Sequence, residues 1–255
     1  MKKESGAKKV GNFILSIALL IIIIGIWIGA DWAGVLKPYT LPSIPTILDT
    51  AVSYIQKGKL QENIIVSFVR VYKGFLIAMV IALAMGTAVA LFPKFDKFTN
   101  LVLQIIRPIP PIAWIPLAIL WFGIGEGSKL FIIFLGSFFA MFTNTVDGIK
   151  GIDKKYFELG SVYEISKKDL ILHIVFPGAM PQIMTGICIG LSQAWVCVVA
   201  AEMIGATKGV GYMLTDGRSM SRPDVVILGM LIIGVIGKIM DDLLRVLRDK
   251  LISWT

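Results

Sequence analysis

The chain has 255 residues, 56% hydrophobic and 16% charged, with a formal net charge of +8. Soluble domains of this length carry about 25% charged residues, so the composition excludes an ordinary water-soluble globule. The basic excess does not signal a nucleic-acid surface: no stretch interleaves aromatic with basic residues, and Lys and Arg gather in the cytoplasmic loops of membrane proteins.

Residues 1–9 carry Lys2, Lys3, Lys8 and Lys9 and lead into the uncharged run 10–30. That run is longer than the core of a cleaved signal peptide and is followed by Asp31 and Trp32, not by a small-residue cleavage site, so it reads as a retained first span. Residues 31–67 open with Pro38, Pro42 and Pro45 and turn amphipathic at Ile47, Leu48, Val52 and Ile55, which predicts a helix lying on the outer surface. Five more spans are predicted at 68–92, 99–122, 129–147, 178–204 and 224–243. A bilayer core of about 30 Å needs roughly 20 apolar residues at about 1.5 Å each. In the last span Lys238 snorkels, and Asp241 and Asp242 already stand in water. The expectation is an all-α membrane fold with six transmembrane helices. Residues 1–66 form an N-terminal span and outer segment, and 67–255 a core with a charged cytoplasmic loop at 148–176.

The basic residues orient the chain. Lys94, Lys97, Lys150, Lys154, Lys155, Lys167, Lys168, Arg245, Arg248 and Lys250 fall on the side of the N-terminal tail, which predicts both termini in the cytoplasm.

Polar groups inside spans tend to face the bundle interior. Thr87, Pro110, Pro111, Trp114, Ser137, Ser192 and Gln193 are the pore candidates. Thr and Ser can instead bond their own backbone, and Trp114 can be packing. Span three also holds Pro108 and Pro116, and each proline removes a backbone donor and bends or breaks the helix. Arg107, about 10 Å into that span, either snorkels or attracts an anion. Glu202 near the outer end of span five forms a gate contact with Arg218 or Arg222, or reaches water. Gly25 with Gly29, and Gly186 with Gly190, are close-packing pairs. Cys188 and Cys197, nine residues apart in one apolar run, cannot bond each other on one helix.

The inner loop reads Glu158-Leu159-Gly160-Ser161-Val162-Tyr163-Glu164, then nine residues, then Ile174-Val175-Phe176-Pro177. It resembles the cytoplasmic loop of binding-protein-dependent ABC importer permeases, whose pattern is Glu-Ala-Ala, three residues, Gly, nine residues, Ile-x-Leu-Pro. Glu158, Ile174 and Pro177 keep the spacing, Gly160 keeps a small residue, and Leu159 and Phe176 are replacements. Glu164 stands at the central Gly, which suggests a more continuous helix or a shifted turn. The resemblance extends to Leu41-Pro42-Ser43, Ser67-Phe68-Val69-Arg70-Val71, Arg107-Pro108-Ile109-Pro110-Pro111, Gly123-Ile124-Gly125-Glu126, Ala201-Glu202-Met203-Ile204-Gly205 and Gly209-Val210-Gly211-Tyr212. These are similar to the branch that imports nitrate, sulfonates and taurine.

What the resemblance implies is a type I importer fold and a permease pair, usually a homodimer, in the bacterial inner membrane. Two ATPase subunits bind below, and an extracytoplasmic binding protein delivers the solute. The coupling loop would comprise Glu158, Leu159, Gly160, Glu164, Ser166, Ile174 and Pro177, with Glu158 and Gly160 at the ATPase contact. Bicarbonate and thiamine-precursor importers share the pattern.

No enzyme is expected. Gly123-Ile124-Gly125-Glu126-Gly127-Ser128-Lys129 lacks the Gly before Lys of a phosphate loop. His173 is the only histidine, so no Cys/His metal constellation and no nucleophile–base set exists, and no cofactor is implied. The alternative, a carrier driven by an ion gradient, typically shows inverted repeats and buried ionisable pairs at the midplane, and the sequence suggests neither.

Overall fold

The computed structural model describes residues 6–35, 37 and 39–251; Lys2, Lys3 and Pro38 lie outside them. Among the described residues the chain is all-helical. Helix α1 (Gly6–Trp32) is 27 residues long. From Ile17 to Ile28 its large apolar side chains are exposed on every side, and Trp27 Nε1 donates to Pro42 O at 3.3 Å. A helix that is apolar all round belongs in lipid or against another protein.

Helix α2 (Ile44–Gln56) starts at the Ser43 cap and buries Ile47 and Thr50, leaving Leu48, Val52 and Ile55 exposed. This is the amphipathic helix that the sequence predicts. Gly58, at φ 69°, turns the chain, and α3 (Lys59–Leu91) begins at once. The span therefore starts well before residue 68. Its first turns stay helical because Asn63, Ser67 and Arg70 are buried among partners instead of lying in a loop.

Gly74, Ala78, Ala82 and Gly86, spaced four apart, form one buried stripe on α3. They let α6 (Glu126–Lys150) approach closely. A Cβ on Gly86 would stand 2.9 Å from Thr145 Cβ. In lipid, where burial offers little extra gain, such small-residue seams let packing hold helices together.

Span three is broken. Helix α4 (Pro93–Ile106) is followed by a 3₁₀ turn at Pro111–Trp114 and α5 (Ile115–Phe122). The two halves are bent by 89°. Pro108, Pro110 and Pro111 have no N–H to continue the ladder, which is why the helix stops there.

Helix α6 is the central rod, with α3 on one flank and α9 (Phe176–Gly205) on the other. Ala78, Ala82, Ile133, Phe138, Met141, Phe142, Ala194, Trp195 and Val198 fill the core between them. Gly190 faces α6, where a Cβ would lie 2.8 Å from Met141 Cγ. The pair Gly186 and Gly190 thus packs within the chain. Gly25 and Gly29 meet nothing within 4 Å. Cys188 and Cys197 are both free, on α9.

Between α6 and α9 lie α7 (Lys154–Val162), α8 (Lys167–Leu170) and a π turn at Ile171–Val175. The chain ends with α10 (Val210–Ser219) and α11 (Pro223–Leu251). Helices α3, α6, the run Lys168–Gly205 and α11 are long and apolar enough to cross a bilayer, and the bent pair makes a fifth if counted as one span.

Candidate functional site

Four of the sequence motifs converge on one buried cluster. Arg70 on α3 is 6% exposed and Glu202 on α9 only 1%. Arg70 Nη1 donates to Glu202 Oε1 at 2.8 Å and to Lys208 O at 2.6 Å. Its other edge meets Glu126 in a fork, Nε to Oε2 at 2.8 Å and Nη2 to Oε1 at 2.7 Å. Lys129 Nζ also donates to Glu126, at 3.1 Å, and Lys208 pairs with Glu62. Bidentate guanidinium–carboxylate geometry is the strongest form such a pair takes.

The same side chains cap α10. Its first free N–H groups are taken in order: Gly209 N by Asn63 Oδ1 at 2.7 Å, Val210 N by Ser67 Oγ at 2.9 Å, and Gly211 N by Glu202 Oε2 at 2.9 Å. Ser67 Oγ in turn donates to the Glu202 carboxylate at 2.8 Å. A helix start buried without such partners would leave orphan donors. Gly209 stands at φ 130°, facing the Glu202 carboxylate, where any side chain would collide. This accounts for the pattern Gly209-Val210-Gly211.

Glu202 therefore does not meet Arg218 or Arg222, and it does not reach water. Arg222 is committed to Asp224 at 2.6 Å, and Asp224 also accepts from Thr50 Oγ1 at 2.6 Å, which ties α2 to α11. Arg218 is exposed. Arg70 and Glu202 form a buried ionisable pair. It lies near the C-terminal end of α9, not at mid-span, so it does not mark a midplane ion site. The signal for Arg70 was available: Arg70, Glu126 and Glu202 all fall at the same expected end of their spans, and opposite charges there pair.

At the far end of α6 and α9, Asp153 caps α7 by accepting from Lys155 N at 3.0 Å. The α7 C-terminus closes with Ile165 N to Gly160 O at 2.9 Å and Glu164 N to Ser161 O at 3.3 Å. That bond pair is a Schellman cap, with Glu164 in the left-handed position usually held by Gly. Glu164 sits at φ 50°. The helix is neither continued nor shifted: the turn survives, and Glu164 bears its strain.

Ser166 caps α8, accepting from Asp169 N at 3.2 Å and donating to Asp169 Oδ2 at 2.6 Å. The π turn precedes Pro177, the second residue of α9. Phe176 N bonds Ile171 O, five residues back, and the widened turn absorbs the donor that Pro177 lacks.

Gly160 does not face outward. It is buried, and a Cβ there would lie 2.6 Å from Leu170 Cδ1, so its role is to let α7 cross α8. Glu158, Glu164, Ser166 and Pro177 are exposed, and Ile174 is half-buried. The outward surface is more apolar than the sequence suggests, with Tyr156, Leu159, Val162 and Tyr163 exposed. Phe157 anchors α7 in a cluster with Ile149, Val175, Ala179 and Ile183, from both rods.

The polar residues of the spans divide. Ser137 is fully buried and donates to Ile133 O at 2.7 Å, so it is a packing residue of this chain with no open face. Ser192 donates to Asp241 Oδ1 at 2.5 Å. It lines a cavity of about 240 Å³ with Gln193, Arg245 and Arg248. Thr87, Pro111 and Trp114 are half-buried and Pro110 is exposed at the break. Trp114 packs at a tilt against Trp121 and edge-on against Phe131, and Arg107 is exposed beside a separate cavity. Among the described residues no group of His, Cys, Asp and Glu could hold a metal ion.

The family described as binding-protein-dependent transport system inner membrane component matches residues 74–253. A putative ABC transporter permease of Methanocaldococcus jannaschii is 36% identical over 249 residues, covering 95% of this chain and 92% of that protein. A putative aliphatic sulfonates transport permease, SsuC of Bacillus subtilis, is 36% identical over 254 residues, covering 100% and 92%. The inward-facing MetNI methionine ABC transporter shares the fold at TM-score 0.57 and 17% identity, over 77% of this chain and 97% of that one. The chain thus belongs to the binding-protein-dependent transport system inner membrane components, as an ABC transporter permease subunit that is not itself an enzyme.

Proposed function

We propose that this permease carries a small oxyanion, such as an aliphatic sulfonate, taurine or nitrate, from an extracytoplasmic binding protein into a bacterial cytoplasm. It works as a homodimer on two ATPase subunits in the inner membrane. In this reading α1 is the first of six spans and the broken pair α4–α5 is the third. Both termini, with α7 and α8, face the cytoplasm. The basic residues support that orientation: Lys94, Lys97, Lys150, Lys155 and Lys168 cluster at the α7 end of the rods. The sulfonate relative supports the solute class.

One observation carries the reading. Helix α7 is packed by Phe157 onto both α6 and α9, yet it leaves Tyr156, Leu159, Val162 and Tyr163 exposed. A row of apolar and aromatic side chains on a short, firmly based helix suits a groove on a partner. The ATPases are that partner. ATP-driven closure would pull α7, and the rods would move with it as rigid bodies around the pore. The test is reconstitution with its ATPase and binding-protein subunits. Uptake of taurine, ethanesulfonate or nitrate should require ATP. Uptake that persists without the ATPase, or that follows an ion gradient, rejects the proposal.

A further inference from the structure

Helices α4 and α6 face each other across a cavity of about 180 Å³. At about 30 Å³ per water it would hold about six waters, or one small oxyanion with part of its shell. Polar residues line it in rows. On α4 they are Asp96, Asn100 and Gln104, with Arg107 at its C-terminal cap; on α6, Thr143, Asp147 and Lys150. Spacings of three and four put each row on one helix face. The rest of the wall is apolar, with Val89, Phe139 and Phe142 among it.

The polar groups are unevenly committed. Asp96 and Lys150 satisfy each other at 2.6 Å. Gln104 Nε2 donates to Asn100 Oδ1 at 2.8 Å, leaving the Asn100 NH₂ free. Thr143 donates to Phe139 O at 2.8 Å and keeps its oxygen as an acceptor. Arg107 has no ion-pair or hydrogen-bond partner for its side chain among the described residues. It lies 11 residues beyond Asp96, about 16 Å along the helix. The carboxylates thus sit at one end of the cavity and an unspent guanidinium at the other, beside the helix break. A planar fork of donors at the end of a half-apolar cavity suits an oxyanion.

We infer that the α4–α6 cavity is a binding station for the transported oxyanion, with Arg107 as its charged contact and the Asn100 amide as a neutral donor. The inference rests on the anion-importer reading and adds a place to it. Thr143 lines the cavity, whereas Ser137, one face further round α6, is buried.

The test reads the site apart from the solute. In a chain with Cys188→Ala and Cys197→Ala, Gln104→Cys places a thiol one turn from Arg107. It is treated with the anionic sulfonatoethyl and the cationic trimethylammonioethyl methanethiosulfonates, in the complex reconstituted in vesicles. A unit charge some 6 Å away in water changes each reagent's local concentration about threefold, in opposite senses. Arg107→Gln should therefore lower the anion-to-cation rate ratio about tenfold, and Arg107→Lys should retain it. A ratio indifferent to Arg107→Gln overturns the site. Millimolar ethanesulfonate or nitrate should slow the anionic reagent. If only removal of anionic lipid raises its rate, a lipid phosphate holds the guanidinium and the solute assignment fails.

Uptake in the complete transporter is the second arm. Arg107→Gln should raise KM for the anion about tenfold or more, which is about 1.4 kcal/mol of lost contact, and Arg107→Lys should recover part of it. A fall in kcat alone, without Lys rescue, overturns the contact. If the ratio behaves as expected while the wild type imports none of the anions, the cavity stands as an anion site and the solute proposal fails by itself.

Discussion

Replacing Glu202 by Gln conserves shape and removes one charge and half the acceptors. The carboxylate receives Arg70 Nη1 and Ser67 Oγ on one oxygen, and Gly211 N and Ser67 Oγ on the other. An amide has one acceptor oxygen and presents two N–H groups where the other stood. Either Arg70 or the Gly211 N–H then faces a donor. Ser67 cannot simply rotate to help, because its oxygen already accepts from Val210 N. Breaking a buried pair costs about 3–5 kcal/mol. The lower end applies here, because Arg70 keeps its fork with Glu126. In a domain of this size about 3 kcal/mol is a fall in Tm of roughly 6–12 °C. Cys197 is buried, so thermal exposure of its thiol to a fluorogenic maleimide in detergent reads the transition. The double variant Arg70→Met with Glu202→Met removes the unpaired charge but leaves Gly211 N–H and the Lys208 carbonyl without partners, so it should cost less than the sum of the two single substitutions without returning to the wild-type Tm. Glu126, 58% exposed and still beside Lys129, stays solvated. A Tm unmoved by Glu202→Gln, or a double variant no better than the sum of the singles, would contradict the structure at this cluster.

Glu164→Gly should stabilise the α7–α8 turn by about 1 kcal/mol, because a side chain in the left-handed region costs about 1–2 kcal/mol, partly offset by glycine's greater freedom when unfolded. Slower proteolysis of this loop in inside-out vesicles is the readout. Leu159→Asp, at an exposed apolar position, should cut co-purification of the ATPase at least tenfold while the Cys197 transition stays within about 2 °C, because a surface change of this kind is worth about 0.5 kcal/mol. Gly86→Val should lower Tm by roughly 2–12 °C, since overpacking costs about 1–3 kcal/mol and the Cβ meets Thr145 and the carbonyl of Phe142.

Four spans, and the bent pair as a fifth, were legible as hydrophobic runs of bilayer length, and the proline-rich stretch after Arg107 foretold a break. The angle of 89° was not legible, since it depends on how α5 packs on α6. The start of α3 was misplaced because Asn63 and Ser67 fell in the polar stretch 31–67. They are helical because they have partners far away in the chain, at Gly209, Val210 and Glu202. Glu164 misled for the opposite reason. Its propensity argues against φ > 0, but the flanking Ser161 and Gly160 carbonyls hold the cap. Ser137 and Ser192 look alike in sequence, and only the surrounding helices separate a backbone-bonded core serine from one facing Asp241.

The two sites are joined by the same two rods. Helix α6 begins at Glu126, in the Arg70 cluster, and ends at Lys150, one short link before α7. Helix α9 begins just after the π turn and carries Glu202 one turn before its end. At about 1.5 Å per residue these helices span about 37 and 45 Å, and close packing between them lets them transmit strain. In the proposed mechanism a pull on α7 would reach the end of the bundle where Arg70 bridges Glu126 on one rod and Glu202 on the other. Any relative sliding of α6 and α9 must open that bridge or rotate Arg70 with it, so the cluster resists shear between the rods. Of the two rods, the cavity beside Arg107 touches only α6, so in the proposed mechanism movement of this rod against α4 changes the cavity while the α3–α6 seam of Gly74 and Gly86 carries α3 along.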